Sequence, residues 1–529
     1  MIVLQDISYT HPDKEVLFTG INLTVNKFEK IALIGSNGSG KSTLLKIIAG
    51  ELLPSDGVLK VDFKPYYIPQ IFGQYNHLTI AQAMGVDRKL NALHEILNGN
   101  ASEENYDLLN DDWMIEKRCS EALSEWQLTG IDLSQKMEAL SGGQKTKVLL
   151  AGISIHQPPL VLLDEPSNHL DISGRKILYD FIENSKQTLI VVSHDRKSLN
   201  LLDTMCELTK NKILVYGGNY DFYSEQKQIE SNALTQDIHS KEKALKKAKE
   251  KERETVERQQ KLDSRGKGKQ EKAGVARIMM NTLRNSAENS TAKIKSVHAE
   301  KMGNIKQELQ DLRISLSGMD QMQFGFDNSR LHKGKQLFTA DSINFSYENE
   351  KLLWNESLSF KFVSGERIAI KGANGSGKTT LINIILGNLA PRPGTVTIAK
   401  SKSVYIDQDY LLIDNRLNVY EQAQQFNTVA LQEHEVKIRL NRFLFAKDDW
   451  DKPCSALSGG ERMRLVLCCL TINSQSPDII VLDEPTNNLD IQNTEILTKA
   501  FNEYQGTLLV ISHDEIFLND INIERTIEL

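Results

Sequence analysis

The chain has 529 residues, 40% of them hydrophobic and 25% charged, which is too long for a single core and suits roughly two to four globular domains. The formal net charge of −7 excludes a general attraction to nucleic acid, so such binding would need a local basic patch. Five irregularly spaced cysteines exclude a disulfide framework and a Cys/His metal site. We expect a cytoplasmic protein, because no signal peptide is indicated and no apolar run approaches the roughly 18–20 residues of a membrane span.

The first unit, residues 1–224, reaches a glycine-rich loop after two strand-like stretches. The loop matches G-x-x-x-x-G-K-[ST], a pattern in which backbone N–H groups bind phosphates. An apolar run precedes it and a helix-like stretch follows, so a helix N-terminus would add its partial positive charge under the phosphates. The predicted nucleotide-binding residues here are Gly35, Ser36, Asn37, Gly38, Ser39, Gly40, Lys41, Ser42 and Thr43.

Four further motifs follow the loop in the first unit. In order, they are Gln70 at the end of a strand-like run, Ser141-Gly142-Gly143 at the start of a helix, Asp164-Glu165 after a fully apolar run, and His194 after another apolar strand. A fully apolar run is typical of a buried parallel strand. The pattern therefore predicts carboxylates at the carboxyl end of a buried sheet.

The segment at 225–330 differs from the rest in being highly charged and helix-favouring. Glycines predict breaks at 264–269 and at Gly274, and a second helix is predicted from about 288 to 316. The simplest architecture is an antiparallel helical hairpin, reaching about 50 Å if residues 231–263 form one helix. Its tip is basic and is either a solvated surface or an RNA contact, through Arg258, Lys261, Arg265, Lys267, Lys269, Lys272 and Arg277.

The second unit, residues 336–529, repeats the motifs of the first in the same order. This repetition predicts duplication of a whole domain. The spacing from the glutamine to the Ser-Gly-Gly motif is longer in the first copy, which predicts an insertion within about 85–120. The repeated residues are Gly372, Ala373, Asn374, Gly375, Ser376, Gly377, Lys378, Thr379 and Thr380, then Gln408, Ser458, Gly459, Gly460, Asp483, Glu484 and His513.

The paired acidic residues predict the chemistry of both units. An aspartate that follows a phosphate-binding loop fits a Mg²⁺ ligand, with the loop hydroxyl of Ser42 or Thr379 as a second ligand. Asp164 and Asp483 take that role, and the adjacent Glu165 and Glu484 are placed to act as general bases toward water. His194 and His513 would lie near the terminal phosphate. A solvated turn and a structural histidine are the alternative interpretations, and the duplication disfavours both.

In this order, the motifs resemble those of the ATP-binding cassette ATPases, over both units. The resemblance implies an α/β fold with two P-loop domains, ATP and Mg²⁺ as ligands, and Gln70 and Gln408 as further Mg²⁺ ligands. It also implies that two cassettes of one monomer close head to tail. Gly35–Thr43 would then share a site with Ser458–Gly460, and Gly372–Thr380 with Ser141–Gly143, giving two competent sites.

In the resembling family an aromatic residue ahead of the loop stacks on adenine. Aligning the two copies places Tyr347 at this position in the second unit and His11 in the first, with Tyr9 as an alternative. Imidazole offers a smaller stacking surface than a phenol ring. The expected base contact is therefore weaker at the first site.

Two further stretches resemble the F subfamily of these proteins. They are the Glu-Pro-Ser-Asn-His-Leu-Asp run after Asp164, with its counterpart after Asp483, and the aromatic lead-in Tyr216–Tyr223. The resemblance implies binding at the ribosomal exit site, with 23S rRNA and peptidyl-site tRNA as contacts, as a translation factor or an antibiotic ribosome-protection protein. The insertion would be the arm that touches the large-subunit stalk. The alternatives are a cytosolic ATPase subunit of a transporter and a DNA-associated ATPase.

Overall fold

The computed structural model describes residues 1–70, 72–272, 296, 299–310, 312, 331–347, 351–472, 476–487 and 489–529. Side chains are described for these residues except 259–260, 262–264 and 266–272. The chain forms two compact units, one of Met1–Asp221 with Met322–Leu529 and one of Phe222–Gln321. Below, the first domain means residues 1–221 and the second domain means the described residues from 331 onward.

The first domain is built on a six-stranded sheet in the order β5-β6-β7-β3-β8-β9. Its strands are parallel except for the antiparallel pair β8 and β9. A three-stranded antiparallel sheet, β2-β1-β4, joins it across a shared apolar core. The strands are β1 Ile2–Thr10, β2 Val16–Val25, β3 Lys30–Ile34, β4 Asp56–Val61, β5 Tyr66–Ile68, β6 Leu160–Asp164, β7 Thr188–Val192, β8 Thr204–Leu208 and β9 Ile213–Tyr216.

Helices cover the parallel sheet, as the fully buried strands β6 and β7 require. The helix that follows β3 opens directly at the predicted phosphate-binding loop. The helices are α1 Lys41–Ala49, α2 Ile80–Ala83, α3 Asp87–Leu97, α4 Glu103–Leu109, α5 Ile115–Glu125, α6 Gly142–His156, α7 Ile172–Asn184 and α8 Arg196–Leu199.

The second domain repeats this architecture with a five-stranded parallel sheet in the order β14-β15-β16-β12-β17 and an antiparallel sheet β11-β10-β13. Its strands are β10 Gln336–Ile343, β11 Leu358–Val363, β12 Arg367–Lys371, β13 Thr395–Ile398, β14 Ser403–Ile406, β15 Ile479–Asp483, β16 Thr507–Ile511 and β17 Arg525–Glu528. Its helices are α10 Lys378–Ile385, α11 Val419–Gln425, α12 Glu433–Arg442, α13 Gly459–Ile472, α14 Ile491–Glu503 and α15 Glu515–Asp520. The predicted α/β fold with two P-loop domains is confirmed.

The two domains differ most in their helical regions. Between α2 and α5 the first domain has residues 84–114, whereas the second has only residues 426–432 between α11 and α12. Most of the additional chain forms α3 and α4, which pack against each other. This helix pair lies within the range 85–120, where the sequence predicts an insertion.

The second compact unit contains one long helix, α9 Tyr220–Lys272, of 53 residues, whose first two residues belong to the first domain. At 1.5 Å per residue it extends about 80 Å. The predicted break at 264–269 is therefore wrong, because flanking lysine, glutamate and glutamine favour helix strongly enough to carry the two glycines. Gly274 and much of the predicted second helix lie outside the described residues, but residues 299–310 are helical and Glu308 forms an ion pair with Lys241.

Among the described residues, no helix combines the length and the apolar composition needed to cross a membrane.

Candidate nucleotide-binding sites

Each phosphate-binding loop is shaped by glycines in left-handed backbone conformation. Gly38 and Gly40 have φ angles of 81° and 95°, and Gly375 and Gly377 repeat them at 81° and 91°. A Cβ atom on Gly40 would lie 2.8 Å from the Phe18 ring, so the loop also depends on the absence of a side chain there. The loop N–H groups and the start of α1 or α10 together form an anion-binding surface.

The loop lysines fold back over their own loops. Lys41 Nζ donates to the carbonyl oxygens of Gly35 (2.7 Å) and Ser36 (3.2 Å). Lys378 Nζ makes the matching bonds to Gly372 (2.9 Å) and Ala373 (3.0 Å). Burial lowers the pKa of both lysines, while nearby carboxylates oppose that effect. An anionic ligand in either loop would therefore meet a partly desolvated ammonium group.

The strand-end aspartates are each held by a tyrosine that the sequence analysis missed. Tyr67 donates its hydroxyl to Asp164 Oδ2 (3.3 Å), and Tyr405 donates to Asp483 Oδ2 (2.8 Å). Both tyrosines lie three positions before the predicted glutamine, Gln70 or Gln408, so the shared offset was the available signal. Each bond fixes one carboxylate oxygen and leaves the other for a ligand.

Asp164 has the chemistry of a divalent-cation ligand. Its Oδ1 atom is buried and accepts no hydrogen bond from any residue that the structure describes. Burial raises the pKa of Asp164, and hydrogen bonds from Ser42 and Tyr67 oppose that rise. A buried oxygen without a donor is costly unless a cation or water meets it. The hydroxyl of Ser42 and this carboxylate form a donor set of the hard oxygens that Mg²⁺ prefers.

The glutamates beside these aspartates have a strained backbone in both domains. Glu165 has φ 51° and Glu484 has φ 48°, in the left-handed region that side chains rarely adopt. The strain is offset by hydrogen bonds from the Glu165 N–H to Val192 O and from the Glu484 N–H to Ile511 O, both 2.8 Å. The turn directs each carboxyl group toward the histidine after the next strand.

Each histidine contacts its glutamate twice. The His194 N–H donates to Glu165 Oε2 (3.3 Å), and His194 Nε2 lies 3.2 Å from Glu165 Oε1. His513 repeats both contacts with Glu484, at 3.4 Å each. Burial raises the pKa of Glu165 to about 8 and of Glu484 to about 7, and it lowers the pKa of His194 and of His513, the latter to about 4. The imidazoles are thus neutral at pH 7, and the carboxyl groups titrate near neutrality.

The two domains meet at these loops. The Asn37 N–H donates to Asp490 Oδ2 (2.9 Å), and Asn374 Nδ2 donates to the His169 carbonyl oxygen (3.1 Å). Asp490 and His169 occupy the loops that follow the acidic pairs, so each phosphate-binding loop contacts the other domain. Asp490 is a contact that the sequence analysis missed, since its place in the loop gives no local signal.

The Ser-Gly-Gly motifs also face the opposite domain. Ser458 lines a cavity of about 430 Å³ that holds the first phosphate-binding loop. In the other direction, a Cβ on Gly143 would lie 3.5 Å from Asn374 Nδ2 of the second loop. Ser141 and Ser458 cap the helices that begin there, with backbone donors open at the first turn. The same cavity is lined by predicted residues Thr43, Gln70, Asp164, Glu165 and His194.

His11 and Tyr347 lie beside the first and second loops respectively. His11 lines the 430 Å³ cavity, whereas Tyr9 packs against the core and the Phe18 ring. The Tyr347 hydroxyl lies 2.7 Å from Thr380 Oγ1, and the tyrosine is half exposed. The structure therefore places His11, rather than Tyr9, at the open cavity.

The predicted RNA-binding residues fall in the distal part of α9. Arg258, Lys261 and Arg265 are exposed on the helix. Lys267, Lys269 and Lys272 belong to the helical backbone, but their side chains are outside the described set, and Arg277 is outside it altogether.

Comparison with known proteins gives consistent results. A family model described as ABC transporter matches residues 18–168 and 355–487. The putative ATP-binding protein YdiF of Bacillus subtilis is 31% identical, over 97% of this chain and 78% of its own. ABC transporter F family member 5 of Arabidopsis thaliana is 28% identical, over 100% of this chain and 75% of its own.

One solved structure resembles nearly the whole chain. It is the complex of the archaeal ribosomal stalk protein aP1 and the archaeal ribosome recycling factor aABCE1. The TM-score is 0.59 with 18% identity, covering 99% of this chain and 87% of that one. At this identity the likeness describes the fold, which here is a tandem arrangement of two such domains.

Proposed function

The chain belongs to the ABC transporter family and is an ATPase with tandem cassettes of the F type, and from that premise we propose that ATP binding and hydrolysis control its attachment to the ribosome. In this proposal it acts in the cytoplasm, as a translation factor or as an antibiotic ribosome-protection protein. Binding is at the exit-site region, with 23S rRNA and peptidyl-site tRNA as contacts.

ATP binds at two sites, each completed by the opposite cassette. The first loop, with Lys41, holds the phosphates from one side, and the Ser458 helix N-terminus approaches from the other. The second loop, with Lys378, pairs in the same way with Ser141-Gly142-Gly143. Because each nucleotide contacts both cassettes, ATP binding stabilises the closed pair. His11 and Tyr347 contact the adenine bases in the first and second sites.

Mg²⁺ would be held by Ser42, Gln70 and Asp164 in the first site and by Thr379, Gln408 and Asp483 in the second. When bound, it neutralises charge on the phosphate oxygens. Tyr67 and Tyr405 keep the aspartates in place through the hydroxyl contacts described above.

Glu165 and Glu484 act as general bases in hydrolysis. Each accepts a proton from a water molecule, whose oxygen then attacks the terminal phosphorus. Their raised pKa values, about 8 and about 7, match the basicity that proton transfer needs near neutral pH. His194 and His513, neutral and in contact with the glutamates, orient the carboxylates and donate toward the terminal phosphate.

The ribosome role depends on one observation, the exposed cations in the distal part of a helix about 80 Å long. Arg258, Lys261 and Arg265 are separated by three or four residues, so they fall near one face of the helix, where they can follow a phosphodiester backbone. The structurally similar archaeal protein is named a ribosome recycling factor, which supports the same assignment.

The first test uses the chain with Glu165→Gln and Glu484→Gln, which binds ATP without hydrolysing it. We expect this variant to co-sediment with ribosomes in ATP but not in ADP, and to be released by salt, since roughly 0.7–0.9 counterions are released per phosphate contact. The triple change of Arg258, Lys261 and Arg265 to Glu should abolish binding.

The matched control reverses three exposed lysines nearer the base of the same helix, Lys243, Lys246 and Lys247. That variant should bind more strongly than the distal variant. Failure of the Glu→Gln chain to bind ribosomes while the unchanged chain hydrolyses ATP would contradict the proposal, as would co-fractionation with membranes. Growth of an expressing host in drugs of the peptidyl-transferase region then separates the two roles.

A further inference from the structure

One buried cation of the first cassette stands between the two ATP sites. Arg175 lies near the start of α7, four residues after Asp171, and is only 7% exposed. Its Nε donates to the Leu170 carbonyl oxygen (3.3 Å), and its guanidinium lies 3.9 Å from Asp195 Oδ2. A buried guanidinium is costly unless anions surround it.

Both contacts connect Arg175 to the ATP sites. Leu170 follows His169, whose carbonyl oxygen accepts the hydrogen bond from Asn374 of the second loop. Asp195 follows His194, which contacts Glu165 of the first site. The side chain therefore links a segment that touches the second nucleotide site to one that belongs to the first.

The charge of Arg175 reaches across the interface to Glu484. Burial raises the pKa of Glu484, and the strongest opposing influence is Arg175, ahead of the loop lysine Lys378 of its own cassette. Arg175 also favours the ionised form of Asp514, which follows His513. Thus the first cassette supplies a cation next to the general base of the second site.

The first site has no matching contribution from the second cassette. The residue four positions after Asp490 is Thr494, which is buried and donates its hydroxyl to the Asp490 carbonyl oxygen (3.0 Å). Among the described residues, the charges that act most strongly on Glu165 are Lys41, Asp164 and Asp195, all of its own cassette. The two sites are therefore alike in their motifs but unlike in what faces the base.

We propose that Arg175 is a positioning residue for the second ATP site, acting across the cassette interface on the carboxylate of Glu484, while the first site works without such a residue. This inference rests on the proposed roles of Glu165 and Glu484. It predicts that one change in the first cassette slows hydrolysis in the second.

The test measures each site separately. With Glu165→Gln only the second site turns over, and there Arg175→Met should lower kcat about tenfold with little change in KM. That loss is a fraction of the roughly 100- to 10,000-fold supplied by a placed general base. Arg175→Lys, which keeps a cation, should recover part of the loss. With Glu484→Gln, where only the first site turns over, Arg175→Met should cost about threefold at most.

Thr494→Val is the matched control at the equivalent position and should alter either site by less than about twofold. Equal losses from Arg175→Met in both backgrounds would show a general packing defect and overturn the inference, as would no loss in either. If either Glu→Gln background fails to hydrolyse ATP, single-turnover hydrolysis of two bound ATP in the otherwise unchanged chain replaces it. Arg175→Met should then slow one of two phases; slowing both equally overturns the inference.

The outcomes also separate this inference from the proposed function. Loss of ribosome binding in the Glu→Gln chain bears on the proposed function alone. A site-specific effect of Arg175→Met supports the inference whatever the ribosome result.

Discussion

Phe28 occupies a backbone conformation that suits glycine better. Its φ is 68°, and the equivalent residue of the second domain is Gly365, at φ 88°. The two turns match in detail, because the N–H of each residue donates to a threonine, Thr188 at 2.9 Å and Thr507 at 3.1 Å. The Phe28 side chain is 72% exposed and recovers little burial for the strain. A left-handed residue with a side chain costs about 1–2 kcal/mol.

Phe28→Gly should therefore stabilise the chain. Removing the strain gains about 1–2 kcal/mol, and the greater freedom of unfolded glycine returns about 0.5–1 kcal/mol. The expected result is a higher denaturant midpoint for the first domain. Phe28→Ala keeps the strain and should give no increase, while Gly365→Ala should lower the midpoint of the second domain. A gain with alanine equal to that with glycine would show that the ring, not the backbone, causes the effect.

At this scale the sequence predicted residues that carry a local signal. Asp164 and Glu165 could be found because two carboxylates end an apolar run, and the same pair recurs in the second copy. Arg175 could not be found, since one arginine in an amphipathic helix is usually a surface residue. Its burial results from how two distant segments meet, and no local pattern encodes that meeting.

The linker helix α9 continues through a stretch where glycines predict a break. Gly266 and Gly268 each cost roughly 0.5–1 kcal/mol relative to alanine within a helix. Residues favourable to helix on both sides, and an uninterrupted hydrogen-bond ladder over 53 residues, outweigh that cost. Propensity at a few positions was thus a poor guide to the length of this element.

Distances between spin labels test the continuity of α9. Cysteines placed at 253 and 272 should give a narrow distance distribution near 28 Å, from 1.5 Å per residue. The pair at 225 and 253 lies before the glycines and serves as control, near 42 Å. The native cysteines will label slowly, because all five are buried. A short or broad distance for the first pair alone would mean that the helix breaks at 264–269.

Between the domains, ion pairs join oppositely charged segments. Arg196 lies 2.9 Å from Asp520, and Lys197 lies 3.4 Å from Glu515. The basic members belong to the first domain and the acidic members to the second. The Arg196 side chain is mostly buried and lies over the Tyr220 ring, whereas both members of the second pair are half exposed. The first pair should therefore matter more.

Exchanging the charges of the first pair tests its contribution to closure. Arg196→Glu should raise the half-saturating ATP concentration about fivefold, which is about 1 kcal/mol, because ATP binding is coupled to closure of the pair. Combining it with Asp520→Arg should restore much of the affinity. Lys197→Glu is the control for an exposed pair and should change affinity by less than about twofold. A double variant no better than Arg196→Glu would contradict a direct interaction.

For the whole molecule, duplication made the fold and the existence of two sites predictable. The order of motifs in the second copy located its loop, Asp483 and Glu484 without further information. The asymmetry was not predictable, since Arg175 and Thr494 differ at one position whose importance appears only when the domains are paired. Duplication therefore predicts what the two sites share.

The charged segments at the interface also bear on the ancestry of the chain. Arg196 and Glu515 occupy equivalent positions, one residue after Asp195 and Asp514, but carry opposite signs. A pair formed from two copies of the first half would bring Lys197 against Arg196, cation against cation. An ancestral symmetric dimer of identical halves has thus become a fixed heterodimer within one gene product. Having diverged in this way, neither half can any longer stand in for the other.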